Sequence, residues 1–585
     1  MSKLNGLKIA TTKKQLASLL GVKTSFLTHT LYIIKPANQY TTFNIPKKSG
    51  GTRAISAPTT NLKSLQSCLS HLLLDCVDEI NKSKLVRGTY KSTLSHGFVR
   101  DRSIITNAVM HLHKRNVLNM DLEDFFGGFN FGRVRGFFIK NSNFNLDPHI
   151  ATVIAQIACH QNKLPQGSPC SPVITNLITH SLDIKLAALA KKYSCVYTRY
   201  ADDITFSTRE SVFPAQIMAE KKGTYIVGKK LKSEIGRSGF SINQAKTRIQ
   251  YKDSRQDVTG LIVNTKPNTK REYWRTIKSQ CHSLFVTGSF FKNTAAGPQP
   301  GNINVLEGQL NFIDYVDKYN RLRDKPHQNR IYALANHGKN TSALHSGREK
   351  TFSRFLYYRL FYGNTKPAIL CEGKTDNVYI KSAIRLLVAS YPTLGIVKNP
   401  SNEYELLLRF IEYSERTEFL LELAGGTDYL SQFIYKFDKK YIYYKAPIPE
   451  KPVIIVLDND SGFSVIKKQL NKIPTTTCFP TTLKKDDYEN ADFIHVVKNL
   501  YIVLVPLGGA KEAAIEDLFD SAARLIDYNG KCFNTVDKRN ADVDLSKEVF
   551  SKRVVKAQKK SINFNGFKPL LDRIVNALLH YDSIR

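Results

Sequence analysis

Residues 194–207 read SCVYTRYADDITFS, and this stretch decides the fold of the first half of the chain. β-Branched and aromatic residues flank the pair Asp202-Asp203, which predicts two strands joined by a tight acidic turn. Earlier in the chain a short apolar run begins at Val117 and ends in a third carboxylate, Asp121. Carboxylate oxygens are the ligands that Mg²⁺ prefers. If the strands are neighbours, the three aspartates can together hold two such ions.

The length and charge of the chain indicate its organisation and its partner. It has 585 residues, more than one hydrophobic core supports, so we expect several domains. The formal net charge is +35, of which residues 1–365 carry +31 and residues 366–585 only +4. Such a basic field favours a polyanionic partner. The first part is therefore predicted to bind nucleic acid, with a generally basic solvated surface as the alternative.

The composition excludes several classes of protein. Hydrophobic residues make up 42% of the chain, which is too many for a disordered or fibrous protein. We find no run of about 18 apolar residues and no apolar signal segment at the start, so we expect no membrane partner. The nine cysteines show no zinc-like spacing. We interpret them as reduced thiols of a cytoplasmic protein.

Changes of pattern divide the chain into three parts. Residues 1–265 mix helical periodicity with short β-type runs, which predicts an α+β domain. Residues 266–365 have the pattern of basic helices, interrupted at 287–302 by a loop rich in Gly, Asn and Pro. Residues 366–585 alternate strand, helix and strand, which is typical of a parallel α/β domain. We therefore expect a multidomain protein of α+β and α/β class.

Three segments occur in the order found in reverse transcriptases and resemble their signature motifs: Asp121 to Phe126, Leu164 to Pro172, and Tyr200 to Asp203. The resemblance implies a right-hand fold, with fingers and palm over residues 1–265 and a helical thumb over 266–365. It also implies RNA-directed DNA polymerase activity on dNTPs. Asp121, Asp202 and Asp203 would be the catalytic ligands of two Mg²⁺ ions.

Other positions resemble the substrate-binding residues of that family. They are Lys47, Lys48 and Arg53 of a fingers hairpin, together with Phe126, Gln166 and Lys246. The hairpin cations would hold the triphosphate. Gln166 would lie beside the incoming nucleotide, and Lys246 near the leaving group. Phe126 would exclude a ribose 2′-OH by filling its space, with an ordinary core phenylalanine as the alternative.

The basic residues of the expected thumb are candidates for phosphate contacts. Among them are Arg271, Arg275, Lys278, Lys318, Arg321, Lys325 and Arg330. Neighbouring aromatic residues such as Trp274 could stack on exposed bases. The alternative is a solvated helix face with core aromatics.

Two further elements narrow the resemblance to retron reverse transcriptases. Asn107 to His111, within a helical pattern, resembles their NAxxH element, and Val258-Thr259-Gly260 resembles their VTG element. By this resemblance Asn107, His111, Val258, Thr259 and Gly260 would recognise the cognate structured RNA. Such enzymes copy part of that RNA into branched multicopy single-stranded DNA, priming from the 2′-OH of an internal guanosine. Outside this context the first element would be an ordinary amphipathic pattern, with His111 a surface or core histidine, and VTG is three common residues.

A second group of carboxylates follows strands of the C-terminal part. Glu372 comes after one apolar run, and Asp458 and Asp460 come after another. Ligands bind at the carboxyl ends of parallel strands, so both clusters fall at one edge of the sheet. These residues resemble the TOPRIM signature, and Glu516 resembles an acidic stretch of OLD-like TOPRIM domains, with an acidic pair at a helix N-terminus as the alternative. The resemblance implies a nuclease in which these four carboxylates hold Mg²⁺ or Mn²⁺, Glu372 also acting as general base or acid.

A retron reverse transcriptase fused to a TOPRIM effector, here over residues 366–585, is an architecture associated with antiphage defence. The branched RNA–DNA product would restrain the nuclease in a toxin–antitoxin-like manner until infection. The implied partners are the cognate noncoding RNA, its branched product, a nucleic-acid target and, as one option, further copies of the chain. The alternative is a non-retron reverse transcriptase whose C-terminal part only binds nucleic acid.

Overall fold

The computed structural model describes residues 2–46, 50–86, 94–221, 224–294, 296–324, 340–398, 403–484, 486–534 and 542–585. Within these ranges the chain forms two compact units, Met1–Lys270 and Arg271–Arg585. The first unit ends close to the end of the α+β domain that the sequence predicts.

Unit 1, residues 1–270, is built on an antiparallel sheet and several hairpins. Its strands are β1 (Tyr40–Pro46), β2 (Thr52–Pro58), β3 (Asn116–Leu122), β4 (Cys195–Tyr200), β5 (Asp203–Thr208), β6 (Met218–Lys221), β7 (Thr224–Val227), β8 (Ile242–Tyr251), β9 (Asp257–Val258) and β10 (Leu261–Ile262). The sheet has the order β4-β5-β3-β8, whereas β1 pairs with β2, β6 with β7, and β9 with β10. The strands that carry the three aspartates are therefore neighbours.

Helices cover this sheet. They are α1 (Lys3–Ile9), α2 (Lys13–Leu20), α3 (Thr24–Thr28), α4 (Thr60–Val86), α5 (Ile104–Val109), α6 (Phe131–Lys140), α7 (Pro148–Ala158), α8 (Ser171–Lys192) and α9 (Lys229–Arg237), with a π-helical turn at His29–Ile33 and a 3-10 turn at Pro36–Asn38. In α4 the leucines at helical spacing, among them Leu65, Leu69 and Leu72, are buried in the core.

The helix α8 lies at the centre of unit 1. Among the residues that the structure describes, it alone is long and apolar enough to cross a membrane by composition. Half of its apolar window is buried within the protein, and it packs along β4 and against α9. Its apolar face therefore forms part of the core of unit 1.

A buried ion pair ties β4 to α8. Arg199 of β4 is 0% exposed, and its guanidinium donates to both carboxylate oxygens of Asp183 at 2.7 and 2.8 Å. The Tyr197 hydroxyl donates to the same carboxylate at 2.7 Å. Taking two charges out of water costs several kcal/mol, which bidentate geometry and extra hydrogen bonds offset. Removal of either partner would leave the other charge buried and uncompensated.

Unit 2, residues 271–585, contains a mixed sheet between helical layers. Its strands are β11 (Phe291–Thr294), β12 (Gly297–Pro300), β13 (Ala368–Cys371), β14 (Gly395–Lys398), β15 (Glu403–Leu406), β16 (Arg409–Phe410), β17 (Val453–Leu457), β18 (Thr477–Phe479), β19 (Phe493–Val497) and β20 (Leu500–Leu504). The main sheet has the order β16-β13-β17-β20-β19-β18. The segment 287–302, expected as a loop, contains the β11–β12 hairpin.

The expected parallel sheet is found in part. The strands β16, β13, β17 and β20 are parallel, but β19 and β18 continue the sheet in antiparallel fashion. Only Lys498 and Asn499 separate β19 from β20. A connection this short permits antiparallel pairing alone, since a parallel crossover needs a dozen or more residues.

The helices of unit 2 lie on both faces of the sheet. They are α10 (Arg271–Thr287), α11 (Ile303–Asp324), α12 (Gly347–Tyr357), α13 (Asp376–Leu386), α14 (Glu415–Leu421), α15 (Thr427–Tyr441), α16 (Phe463–Leu470), α17 (Ser521–Arg524), α18 (Lys547–Val549) and α19 (Lys568–Ile584). Shorter turns are the π-helical Tyr358–Tyr362 and Phe550–Val555 and the 3-10 segments Thr341–Leu344, Ile515–Leu518, Lys559–Ser561 and Asn565–Phe567. Along β17, Ile455 faces one core, whereas Ile454 and Val456 face the other.

The segment expected as a thumb shares the first of these cores. Cys281 and Leu284 of α10 and Leu310 of α11 belong to the same buried cluster as Ile455 of β17. The expected boundary near residue 365 therefore lies inside unit 2, because these helices contribute to the same hydrophobic core as the sheet.

Ion pairs also tie α11 to α12 and α14. They join Asp317 to Arg348 at 3.2 Å, Lys318 to Glu415 at 2.7 Å, Asp314 to Arg416 at 3.6 Å, and Arg321 to Glu349. Lys318 and Arg321, which the sequence suggested for phosphate contacts, thus bind carboxylates of unit 2. Arg271, Arg275 and Lys278 are exposed along α10 and stay candidates. Lys325 and Arg330 lie outside the described residues.

Replacing Asp183 with alanine removes the partner of a fully buried guanidinium. We expect unit 1 to lose about 3–5 kcal/mol of stability, the usual cost of breaking a buried pair. Hydrogen exchange of the β4 and β5 amides in the full chain measures this loss. The matched control is Asp75→Ala, because Asp75 pairs with Arg100 at 42% side-chain exposure, and it should cost less than about 1 kcal/mol. Equal exchange in the two variants would contradict this account of the buried pair.

Candidate functional site

The turn between β4 and β5 brings the three predicted aspartates to one end of the sheet. Ala201 and Asp202 form the turn, and Ala201 has a left-handed φ of 56°. Asp203 lies directly opposite Asp121 of β3. The Leu122 amide donates to the Asp202 carbonyl at 3.0 Å. Directly opposed residues point to the same face of a sheet, so the carboxylates share one surface.

Burial and mutual repulsion concentrate negative charge there. Burial raises the pKa of Asp203 to about 6, and the negative charges of Asp202 and Asp121 add to this effect. Burial also raises the pKa of Asp202, an effect that the positive charges of Lys246 and Arg53 oppose. Groups that disfavour one another's ionisation favour a cation between them.

A bulge in β8 supplies a counter-charge. The register of β8 against β3 shifts between Asn119 and Asp121, so residues 244–247 leave the ladder. Lys246 lies in this bulge, and its Nζ donates to Asp121 Oδ1 at 2.9 Å. The Asn243 side-chain amide donates to the other oxygen at 3.4 Å. Bulges often re-aim a side chain beside an active site, and this one aims the predicted lysine at the carboxylates.

The donor set of this site fits Mg²⁺. Among the residues described, no three His, Cys, Asp or Glu side chains already converge on one point that could hold an ion. Mg²⁺ does not need such a closed cluster, because it is usually bound by one or two carboxylates together with phosphate oxygens and water. Asp121, Asp202 and Asp203 can supply those carboxylates, leaving the remaining positions to a bound nucleotide.

The loop that contains Gln166 lies against the β1–β2 hairpin. The Ser56 amide donates to the Gln166 carbonyl at 3.0 Å. Gly167 has a φ of 121°, and a Cβ there would meet the Ser56 carbonyl oxygen at 2.8 Å. Only glycine therefore allows this close approach of the two backbones.

Of the three hairpin cations, Arg53 is placed by the structure. It lies close enough to Asp202 for its charge to act on the pKa of that carboxyl group. Lys47 and Lys48 lie outside the described residues.

The two adjacent phenylalanines of this region differ in burial. Phe125 is 2% exposed and packs against Phe129 and Phe240 with ring centroids 5.2 and 5.6 Å apart. Phe126 is half-buried, with its ring edge against Phe125. Phe125 therefore takes the core position, and Phe126 is the ring that solvent reaches.

Asn107 and His111 of the NAxxH element lie in the core, whereas Met110 between them is 46% exposed. α5 ends at Val109, earlier than the helical pattern suggests, and the chain then turns so that His111 enters the core. Its ring nitrogens lie 2.7 Å from Ser207 Oγ and Thr198 Oγ1, and burial lowers the pKa of His111 to about 3. Asn107 is 1% exposed. Both side chains support the sheet from inside, so an effect on RNA would be indirect.

The VTG element forms a tight turn at the aspartate end of the sheet. Val258 is buried, whereas Thr259 and Gly260 form the β9–β10 turn with φ values of 48° and 83°, as a type I′ turn requires. The Thr259 hydroxyl donates to the Ile104 carbonyl of α5 at 3.2 Å. These residues line a cavity of 220 Å³ that also contains Asp203. A neighbouring cavity of 280 Å³ shares Asp203 with it.

The second group of carboxylates lies where two neighbouring parallel strands of unit 2 end. Cys371 of β13 pairs with Val456 of β17, so Glu372 and Asp458 follow at the same edge. The Glu372 amide donates to the Val456 carbonyl at 3.2 Å. Asp460 is exposed on the loop that leaves β17. The structure thus brings the predicted residues of the TOPRIM-like signature to one edge.

A glycine pair packs against this edge. Gly425 and Gly426 both have left-handed backbones, with φ values of 90° and 83°. The Gly426 amide donates to the Glu372 carbonyl at 2.9 Å. A Cβ on Gly425 would meet the same carbonyl oxygen at 2.9 Å, so the turn needs glycine to reach Glu372.

Burial and repulsion act on the second site as they do on the first. Burial raises the pKa of Glu372 to about 7, with added effects of Asp460 and Asp376. Burial raises the pKa of Asp458 to about 8, with added effects of Asp376, Glu372 and Glu516, while the Ile515 amide opposes it by donating to Asp458 Oδ1 at 2.8 Å. This cluster also fits a divalent cation.

Two further residues, Asp376 and Lys547, belong to the second site and were not predicted from the sequence. Asp376 is buried at the start of α13 and accepts the Gly373 amide at 2.7 Å. Lys547 Nζ lies 2.9 Å from the buried Glu516. Although burial opposes it, pairing with Glu516 and the charges of Asp458 and Asp376 raise the pKa of Lys547. Asp376 follows Glu372 so closely that spacing could have suggested it, whereas nothing near Lys547 in the sequence marks it.

Comparison with known proteins gives consistent matches. Residues 45–273 match the family described as reverse transcriptase (RNA-dependent DNA polymerase). Retron Mx65 and retron Mx162 reverse transcriptases of Myxococcus xanthus are 34% and 29% identical to this chain over 47% and 54% of its length. The chain spans 64% and 66% of these two relatives' own lengths.

A telomerase structure from Candida albicans, in complex with a TWJ fragment of telomeric RNA, is similar over 55% of this chain and 64% of its own. That similarity has 12% identity and a TM-score of 0.30. Retron Ec86 reverse transcriptase of Escherichia coli is 32% identical over 49% of this chain, and the match covers 79% of that relative. On this match, and on the family match to residues 45–273, the chain belongs to the retron reverse transcriptase family.

Proposed function

We propose that this protein is an RNA-directed DNA polymerase that copies its cognate noncoding RNA into branched multicopy single-stranded DNA in the cytoplasm. The observation that carries the proposal is the placement of Asp203 opposite Asp121, with Asp202 in the adjoining turn, inside the stretch that matches reverse transcriptases. The net charge of +31 over residues 1–365 suits a nucleic-acid template and product. The 2′-OH of an internal guanosine in the RNA would prime synthesis, as in the family.

The aspartate site can support nucleotidyl transfer. In this reaction a hydroxyl oxygen attacks the α-phosphorus of a dNTP, and the bond from that phosphorus to pyrophosphate breaks. Mg²⁺, when bound, would activate the attacking hydroxyl and stabilise the charge on the phosphates. At the end of the sheet the carboxylates of Asp121, Asp202 and Asp203 would bind the Mg²⁺ ions and thereby orient the reacting groups. Lys246 already lies at Asp121, from where its ammonium can approach the leaving pyrophosphate.

The surrounding residues would select and position the nucleotide. Arg53, with Lys47 and Lys48, would bind the triphosphate. The Gln166 loop, held against the hairpin through Ser56, would form the floor beneath the base. Phe126 would exclude ribonucleotides, since it is the solvent-accessible ring of its pair.

Recognition of the cognate RNA would involve the VTG turn. Thr259 and Gly260 are accessible beside the aspartate site, whereas Val258 supports them from the core. Asn107 and His111 would act only by fixing the sheet and α5, because both are buried. The Thr259–Ile104 hydrogen bond connects the two elements.

For unit 2 we propose a metal-dependent TOPRIM nuclease, with Mg²⁺ or Mn²⁺ as the cofactor. Support comes from Glu372 and Asp458 at adjacent parallel strand ends. With its pKa near 7, Glu372 can exchange a proton at neutral pH, as a general base or acid must. Asp458, Asp460 and Glu516 would hold the metal, and Lys547 would balance charge beside the scissile phosphate.

Together the two activities suggest a role in antiphage defence, in which the branched product restrains the nuclease in a toxin–antitoxin-like manner. The same proposal includes a nucleic acid as the target of the nuclease and assembly of the chain with further copies of itself. The family match removes a non-retron polymerase from the alternatives. The remaining alternative is that the C-terminal part binds nucleic acid without cutting it.

Asparagine at both Asp202 and Asp203 should abolish DNA synthesis, because the isosteric amides cannot hold the divalent ions. We expect primer extension to fall by roughly three orders of magnitude, equivalent to about 4 kcal/mol of transition-state stabilisation. Gel analysis of branched DNA from expressing cells provides the second readout. The control is Asp124→Asn, which alters a carboxylate that is 68% exposed near the same strand and should keep full activity. Persistent branched DNA in the double variant would overturn the polymerase assignment.

Substitution of Glu372 by glutamine together with Asp460 by asparagine tests the nuclease. We expect cleavage of labelled DNA and RNA oligonucleotides by the full chain, with Mg²⁺ or Mn²⁺, to fall at least about a hundredfold. Asp582→Asn changes an exposed carboxylate of the same unit and should leave cleavage unchanged. If the double variant cuts as the parent does, unit 2 is a binding module.

The stability of metal-free unit 2 should depend on pH in a defined direction. Glu372 and Asp458 have folded-state pKa values of about 7 and about 8, above those of free carboxyl groups. Their folded forms bind protons more tightly than their unfolded forms, so stability is lower above about pH 8 and rises as the pH falls through 7. Trp274, the only tryptophan, lies in unit 2 and reports its unfolding by fluorescence.

In EDTA we therefore expect a higher Tm at about pH 6 than at about pH 8.5. Asp458→Asn should raise the Tm at the higher pH and reduce the difference between the two conditions. Mg²⁺ added at about pH 8.5 should stabilise the parent more than this variant. A Tm that rises with pH in the parent would contradict the charge repulsion described for this site.

A further inference from the structure

Phe98 has a backbone conformation that is rare for an aromatic residue. Its φ is 57°, in the left-handed region, and the residue is 48% exposed. A bulky residue with positive φ is a genuine outlier, and such strain persists only where the surrounding structure imposes it. Burial does not account for the choice of phenylalanine, since about half of the residue's surface is accessible to solvent. Strained, exposed residues of this kind concentrate at functional sites.

The segment before Phe98 is fixed along the edge of the palm sheet. The Arg199 amide of β4 donates to the Leu94 carbonyl at 3.2 Å, and the His96 amide donates to the Arg199 carbonyl at 2.8 Å. Ser95 and Arg199 form a parallel bridge. The segment therefore runs in the same direction as β4 and reaches the aspartate end of the sheet together with it.

At that end the backbone is packed against the catalytic turn. A Cβ on Gly97 would lie 2.7 Å from the Ala201 nitrogen. The Asn176 side-chain amide donates to the Gly97 carbonyl at 2.7 Å. This glycine lets the two backbones touch, and the next residue, Phe98, emerges beside the turn that contains Asp202.

One buried network holds both the turn and this segment. Besides its bidentate pair with Asp183, the Arg199 guanidinium donates to the Ala201 carbonyl at 2.9 Å and to Asn176 Oδ1 at 3.2 Å. Asn176 in turn binds Gly97. The position of Phe98 relative to the aspartates is therefore set by hydrogen bonds to charged and buried groups, not by a free loop.

We propose that the ring of Phe98 is a stacking platform for a nucleobase of the nucleic acid held at the polymerase site. A flat aromatic face, fixed in place and open to solvent, binds any base through its π-face. The high positive charge of residues 1–365 would bring the phosphate backbone to this surface. This inference rests on the proposed polymerase function. The base belongs either to the template strand or to the strand that supplies the attacking hydroxyl.

Three substitutions of Phe98 distinguish a loss of base stacking from a loss of protein stability. Phe98→Tyr keeps the ring, Phe98→Leu keeps apolar volume and the same strained backbone without a π-face, and Phe98→Gly relieves the strain but removes the side chain. We expect Phe98→Tyr to bind as the parent does, and both other variants to bind about tenfold more weakly, in keeping with the loss of one stacked base. The Tm of Phe98→Gly should stay within about 3 °C of the parent, because relief of strain offsets lost packing.

The probe is an RNA template annealed to a recessed DNA primer, bound by the full chain in the Asp202→Asn, Asp203→Asn background so that no synthesis occurs. Abasic sites placed one at a time in each strand locate the stacked base. In the chain with Phe98 one abasic position should weaken binding, and in the Phe98→Leu chain that position should make no further difference. Its location in the template or in the primer identifies the strand.

Equal affinity of the parent and Phe98→Leu chains, or the same abasic profile in both, would overturn this inference. Failure of the stacking role and failure of the polymerase function give different results. A parent chain with intact aspartates that makes no DNA refutes the proposed polymerase, whereas active synthesis with no effect of Phe98→Leu refutes the stacking role alone.

Discussion

Both sites depend on one constraint, which is negative charge that the protein does not fully neutralise. In unit 1 an antiparallel turn presses three aspartates together, and in unit 2 two parallel strands end at Glu372 and Asp458. Each cluster has a lysine at one carboxylate, Lys246 or Lys547. One ammonium leaves a surplus of negative charge, and a divalent ion removes it more completely. Two unrelated scaffolds thus reach the same electrostatic condition.

The scaffold has to hold these charges in place against their repulsion. In unit 1 the fully buried Arg199 binds Asp183 and also the Ala201 carbonyl in the turn between β4 and β5. In unit 2 the helices expected as a thumb share one apolar core with the sheet, and ion pairs reinforce that attachment. In unit 1 this buried network acts directly on the turn that contains Asp202.

The sequence predicts most reliably the elements whose periodicity and burial agree. The apolar run expected before Asp458 is the buried strand Val453–Leu457, and the acidic turn lies between the two strands expected around Asp202. Strand direction in unit 2 was predictable only in part, because an apolar run shows burial and not orientation. At the two sites the surroundings of His111 and Lys547 could not be predicted from the sequence. Their positions follow from long-range packing, which places one inside the core and the other among distant carboxylates, and local spacing carries no sign of either.

Two ion pairs between α11 and α14 fix the position of α14. α14, a helix of seven residues, begins at Glu415, the partner of Lys318. Beyond its other end the chain reaches Gly426, whose amide holds the carbonyl of Glu372. If a polyanion drew Lys318 away, Arg416 of α14 would still pair with Asp314 at 3.6 Å, so the support of Glu372 does not depend on one exposed ion pair.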